Sequence, residues 1–90
     1  MLIKLEINNY SLLHFLECFE PNTNYPSNDL IEKPQLSILE CLAFCRQTDG
    51  CNVFTWRKSD GYCWLKSKRG KPTVDSSLIS GPTCGMFYIK

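Results

Sequence analysis

Apolar residues recur three and four positions apart in "PQLSILECLAFCRQTDG", a spacing that predicts a helix over about Ser37 to Gln47. Both ends of it are written locally. Ser37 can cap the start, Glu40 stands three residues later as the reciprocal capping partner, and Gly50 can end the helix in a left-handed conformation. Ile38, Cys41, Leu42 and Cys45 share one face, widened by Leu39 and Ala43, and that face requires burial. The next segment, "CNVFTWRKSDGYCWLK", changes period. Cys51, Val53 and Thr55 alternate with Asn52, Phe54 and Trp56, then Cys63 and Leu65 with Tyr62 and Trp64, around a turn ending in Asp60-Gly61. A hairpin with one inward face is predicted.

Elsewhere the pattern is weaker. "CFEPNTNYPSND", from Cys18 to Asp29, favours turns and extended chain, and Leu30 and Ile31 suggest a short strand. "SKRGKPTVDSS" reads as a polar loop, and a closing strand is expected over "MFYI" near the end.

Ninety residues with 43% hydrophobic content fit one domain, which at this length buries only about 60–65% of its unfolded surface. Such a core needs support. Six cysteines in a chain this short point to disulfides, hence to a secreted, extracellular setting. No run approaches the roughly 20 apolar residues of a membrane span. The stretch Met1 to Glu17 makes a poor signal peptide, because His14 interrupts its apolar run and Glu6 precedes it. Residues 1–17 are therefore expected to be a leader, linker or appended segment, with the domain over 18–90 and the export signal outside the chain. The net charge of +1 hides an uneven distribution: Met1 to Trp56 holds three Lys/Arg against seven Asp/Glu, and Arg57 to Lys90 seven against two. The densest basic run, "WLKSKRGKP", contains Lys66, Lys68, Arg69 and Lys71, with Arg57 and Lys58 a little upstream.

The cysteines Cys18, Cys41, Cys45, Cys51, Cys63 and Cys84 do not suit metal or redox chemistry. A structural zinc site wants C-x2-C knuckles or added histidines, and a thioredoxin-like site wants C-x-x-C; this chain has neither motif and a single histidine, His14. No metal and no cofactor are expected. Six cysteines allow 15 pairings, among which sequence alone does not choose. Cys41 and Cys45 lie one helical turn apart, so each is expected to reach a different partner. Cys51 lies within reach of Cys45 and Cys63 within reach of Cys41, which would leave Cys18 and Cys84 to join the ends.

Cys18, the helical "CLAFC", Cys51 leading into "NVFTW", "GYCWLK" around Cys63 and "ISG" before Cys84 together resemble a PAN or apple domain. The likeness spans Cys18 to about Gly85, and within the family the six-cysteine form resembles apple modules of coagulation proteases and of microneme adhesive proteins of apicomplexan parasites. It implies a small α+β fold, an antiparallel sheet of about five strands cradling one helix. It also implies bonds Cys18–Cys84, Cys41–Cys63 and Cys45–Cys51. Members bind proteins or carbohydrates and are not catalytic.

The function expected is thus a non-catalytic extracellular binding module. Its partner would be a host-cell surface glycan or glycoprotein, or another protein, in an adhesion protein stored in a microneme-like organelle before release. The alternative is a structural, assembly or substrate-docking module of a multi-domain secreted protease. Candidate ligand contacts are Lys66, Lys68, Arg69, Lys71 and Arg57, cations suited to sulfates or carboxylates, together with Tyr62. For a neutral sugar the aromatic candidates are Tyr25, Trp56, Tyr62 and Trp64, each weighed against a place in the core. Catalysis is not expected, since a nucleophile would need a base and His14 lies outside the recognised module. Nucleic acid is not expected either, given the small net charge and the oxidised setting.

Overall fold

In a computed structural model of the protein, which describes residues 18–83, the helix α1 (Ile38–Gln47) begins where its capping box places it. The Glu40 amide donates to Ser37 Oγ at 3.1 Å and the Ser37 amide donates to Glu40 Oε1 at 2.8 Å. Two exposed first-turn donors are thereby satisfied. The end differs from expectation. Thr48 closes the helix in an extended conformation, its amide donating to the Cys45 carbonyl and its hydroxyl to the Phe44 carbonyl. Gly50, at φ +84°, instead serves the following turn, in which the Cys51 amide donates to the Thr48 carbonyl. Positive φ at the third residue of a turn is the position glycine fills at least cost.

Five strands form one antiparallel sheet: β1 (Glu20–Asn24), β2 (Asp29–Lys33), β3 (Val53–Arg57), β4 (Cys63–Lys66) and β5 (Thr73–Gly81), in the order β1-β5-β3-β4-β2. The small disulfide-stapled α+β architecture is as the resemblance implies. "TVDSS" is a correction: it belongs to β5, the longest strand, rather than to a loop. Its polarity has a local cause. Between the stretches paired to β1, Asp75 accepts from both the amide and the hydroxyl of Ser77, while Val74 is 91% exposed. An apolar pattern is not needed where a strand's side chains face water. The expected closing strand over "MFYI" and the segment 1–17, His14 included, lie outside the described residues.

The central strand β3 departs from a one-sided pattern. Val53, Phe54 and Thr55 are all buried, because the sheet is covered on both faces. On one face α1 packs Cys41, Leu42 and Cys45 against Cys51, Phe54, Cys63 and Leu65, with Phe19, Leu36, Ile38, Phe44 and Trp56 around them. Leu39, assigned to this face from its spacing, is instead 39% exposed. The bonds Cys41–Cys63 and Cys45–Cys51 tie the helix to this layer. Cys18 is also disulfide-bonded, and Cys84, its implied partner, lies outside the described residues.

The opposite, outer face buries Val53, Thr55, Leu78 and Ser80, residues brought together by the β3–β5 register. Here Thr55 Oγ1 and Ser80 Oγ are 2.7 Å apart, and Ser80 Oγ donates to the Thr23 carbonyl at 2.8 Å. The hydroxyls thus satisfy one another across three strands.

The hairpin and the helix entry meet at Gly61. Its carbonyl accepts from the Leu36 amide at 2.9 Å, and the Leu36 carbonyl accepts from the Trp56 indole at 2.8 Å. Gly61 has φ +72°, and a Cβ there would sit 2.4 Å from the Leu36 carbonyl oxygen. Backbone cannot yield as a side-chain tip can. Gly61→Ala is expected to lower stability by about 2 kcal/mol, from left-handed strain plus displacement of the helix entry. A urea midpoint equal to wild type would show that this contact is not a constraint.

Candidate ligand-binding site

Strand alternation sends Cys63 and Leu65 toward α1, and Trp64 and Lys66 to the outer face. The register then sets Glu32 beside Trp64 from β2 and Thr55 beside it from β3. At the turn end of the hairpin, Arg57 lies with its guanidinium carbon 5.4 Å from the Tyr62 ring centre and 5.1 Å from that of Trp64. The two rings are themselves 4.7 Å apart, tilted by 43°. Polar contacts fix the stack from outside. Arg57 donates through Nε and Nη2 to the two oxygens of Asp60, at 3.0 and 2.8 Å, and the Tyr62 hydroxyl donates to Glu32 at 2.8 Å. The Arg57 guanidinium holds the Asp60 carboxyl below its usual range, helped by the Tyr62 amide. The hydrogen bond to Glu32 raises the Tyr62 phenol. An Arg, a Tyr and a Trp held in one partly exposed group are the residue types that dominate binding hot spots.

The other end of β4 is organised differently. Lys66 was expected to be a loop cation; it stands instead in β4, only 3% exposed, its stem inside the outer face. Its ammonium donates to Asp29 Oδ1, and to the Ser27 carbonyl at 3.4 Å. A buried ammonium requires such a partner. Arg69 is likewise committed. It donates to Glu20 at 3.3 Å and to the Pro82 carbonyl, and lies 5.1 Å over the Tyr25 ring. Tyr25 is buried and donates to both Glu20 oxygens at 2.9 Å; burial, then Glu20, pushes its phenol pKa up.

Between the Asn24–Asp29 connection and strands β4 and β5 lies an open pocket of about 210 Å³. Asn24, Ser27, Asp29, Trp64, Lys66 and Leu78 line it. Trp64 therefore belongs both to this pocket and to the Arg57 stack.

The sequence-selected residues are thus not one basic patch. Arg57 and Tyr62 join at the hairpin turn, while Lys66 sits at the opposite end of β4, opposite Val53. Lys68 and Lys71 are exposed and form no ion pair among the described residues. Of the aromatic candidates, Tyr25 and Trp56 are bound into the fold, leaving Tyr62 and Trp64 partly exposed. Sequence reasoning missed Asn24, Ser27, Asp29 and Leu78. The alternation that puts Trp64 and Lys66 on one face was the available signal; the pairing of Lys66 with Asp29, 37 residues away, had none.

Residues 23–66 match the family model of the PAN domain. Over that span the resemblance to a PAN domain holds. The matched span of the PAN domain begins within β1 and ends with β4, so it includes α1, the hairpin, Trp64, Lys66 and Asp29. β5, which pairs with both β1 and β3, completes the sheet beyond that span. No curated protein matches the chain. PAN domains are modules that bind proteins or carbohydrates, which supports a non-catalytic binding role here. The disulfides together with the PAN domain fit an extracellular module, and among the described residues no helix is long and apolar enough to cross a membrane.

Proposed function

We propose that this PAN domain, taken to extend over residues 18–90, is the non-catalytic ligand-binding module of a secreted adhesive protein. Its ligand would be a glycan or glycoprotein on a host-cell surface. The observation that carries the reading is the outer face: a preorganised Arg57–Tyr62–Trp64 stack continuous with a polar pocket, on a scaffold fixed by two disulfides on the opposite side. Rigid presentation lowers the entropy lost on binding. Exposed Lys68 and Lys71, on the connection from β4 to β5, add positive charge to the surface of the domain, while Lys66 and Arg69 act through the partners that hold them. The microneme-like setting rests on the likeness of the cysteine framework to such adhesive modules.

A second reading, docking or assembly within a multi-domain secreted protein, is favoured by one observation. Edge strand β2 is exposed throughout and presents Leu30 and Ile31 side by side. A bulge between Asp29 and Ile31 blunts that edge, which argues against it as the main contact surface.

The test is retention of the oxidised protein on arrays of immobilised glycans and glycoproteins, compared with Arg57→Ala. Retention of wild type with a loss of about tenfold or more in the variant is expected, as for truncation at a hot spot. A blank array, with capture only through β2, would replace this reading by the second.

A further inference from the structure

Resting on that reading of the outer face, we propose that the pocket beside Trp64 is a subsite for one neutral pyranose residue, and that it rejects sulfated or carboxylated sugars. Size is the first argument. At about 210 Å³ the pocket is smaller than the roughly 300–1,000 Å³ typical of sites for drug-sized ligands, and suits a single ring rather than an oligosaccharide.

Charge is the second. The formal charges inside the pocket cancel, because Lys66 and Asp29 are bound to each other. A sulfate that captured the ammonium would leave Asp29 without its counter-ion, and a cation that captured Asp29 would strand the Lys66 charge in the interior. A neutral ligand disturbs neither. Sugar hydroxyls both donate and accept, which is what the pair can use without separating. Asp29 is about half exposed, and with Oδ1 occupied by Lys66 its Oδ2 is left to accept a charge-assisted hydrogen bond.

Chemistry of the walls is the third. The Asn24 carboxamide, with two donors and an acceptor, makes no side-chain hydrogen bond among the described residues. Trp64 lines the pocket and is partly exposed, an aromatic of the kind that packs against the C–H face of a pyranose. Its orientation is set in advance by Tyr62 and by Arg57, itself tied to Asp60. Leu78 and Pro26 contribute the remaining apolar lining. One stacking face, one engaged carboxylate and one uncommitted amide form a polar and apolar contact set in a pocket of monosaccharide size.

The experiment is a titration of the oxidised, ¹⁵N-labelled protein with the methyl glycosides of galactose, glucose, mannose and N-acetylglucosamine, and separately with a sulfated disaccharide, each at low and high salt. Saturable shifts of the Trp64 indole, the Asn24 side-chain amide and the Ser27 and Asp29 amides are expected with at least one neutral glycoside, unchanged by salt. Trp64→Ala and, independently, Asn24→Ala should each weaken binding by about tenfold. The second variant removes no intramolecular side-chain bond, so it separates loss of ligand from loss of fold. Two outcomes overturn the inference. One is that no neutral glycoside moves these signals; the other is salt-sensitive shifts confined to Lys68 and Lys71 with the sulfated sugar. If the array retains the protein while the pocket stays silent, the binding function stands and this subsite falls; if both are blank, both fall.

Discussion

Phe54→Ala is expected to remove about 4 kcal/mol of stability, within the range measured for truncating a buried phenylalanine. The ring is fully buried on the central strand β3, meets Phe19 edge-on at 5.7 Å, and belongs to the cluster that holds the two helix disulfides. Repair by collapse is restricted there. Its neighbours Cys41, Cys45, Cys51 and Cys63 are covalently tied in pairs, so the vacated volume cannot be refilled by sliding the helix inward. Small domains hold only about 5–15 kcal/mol in total, so the variant should unfold at markedly lower urea with an unchanged slope. A loss below about 1 kcal/mol would show that Phe54 does not anchor this layer.

Removing Cys41–Cys63 by the paired change Cys41→Ala with Cys63→Ala is expected to cost about 3 kcal/mol, and removing Cys45–Cys51 in the same way about 2. The ranking follows from the chain each bond closes: 22 residues of separation for the first, six for the second. Changing both cysteines avoids a stray thiol. Each alanine pair also loses buried sulfur from the core, so the difference between the pairs isolates the loop contribution better than either value. Urea midpoints measured on the oxidised proteins provide it. If the short loop proves the costlier to open, the stabilisation lies in packing around Cys45 rather than in chain restriction.

How far the sequence disclosed this architecture depended on the range of the interactions involved. The helix was legible because its start is fixed within four residues, Ser37 to Glu40, and the hairpin because β3 and β4 face each other across a short turn. β5 was not. Asp75, Ser76 and Ser77 look like a loop, and they belong to a strand only because Thr73 and Val74 before them pair with β1 and Leu78 to Gly81 after them pair with β3, partners distant in sequence. The same limit governed the site. Arg57, Tyr62 and Trp64 fall within eight positions, so their proximity could be anticipated from strand alternation. Lys66 was misplaced among the loop cations because charge was read along the chain. Its alternation with Leu65, and an acid arriving from β2, decide its environment. Only the family resemblance, not local pattern, anticipated a five-stranded sheet.

The two faces of this sheet are secured by different kinds of bond. Cys41–Cys63 and Cys45–Cys51 fasten the helical side covalently, whereas Tyr25 to Asn28, on the connection bordering the pocket, contains no cysteine. Tyr25 is buried and bonded to Glu20, but substitutions at the exposed Pro26 and Ser27, which border the proposed subsite, are expected to change it without touching the cross-linked half of the molecule. On the proposed reading of the outer face, these two positions are the natural place to diversify recognition, whether by descent or by a designed library, because neither disulfide of the helical side is anchored there.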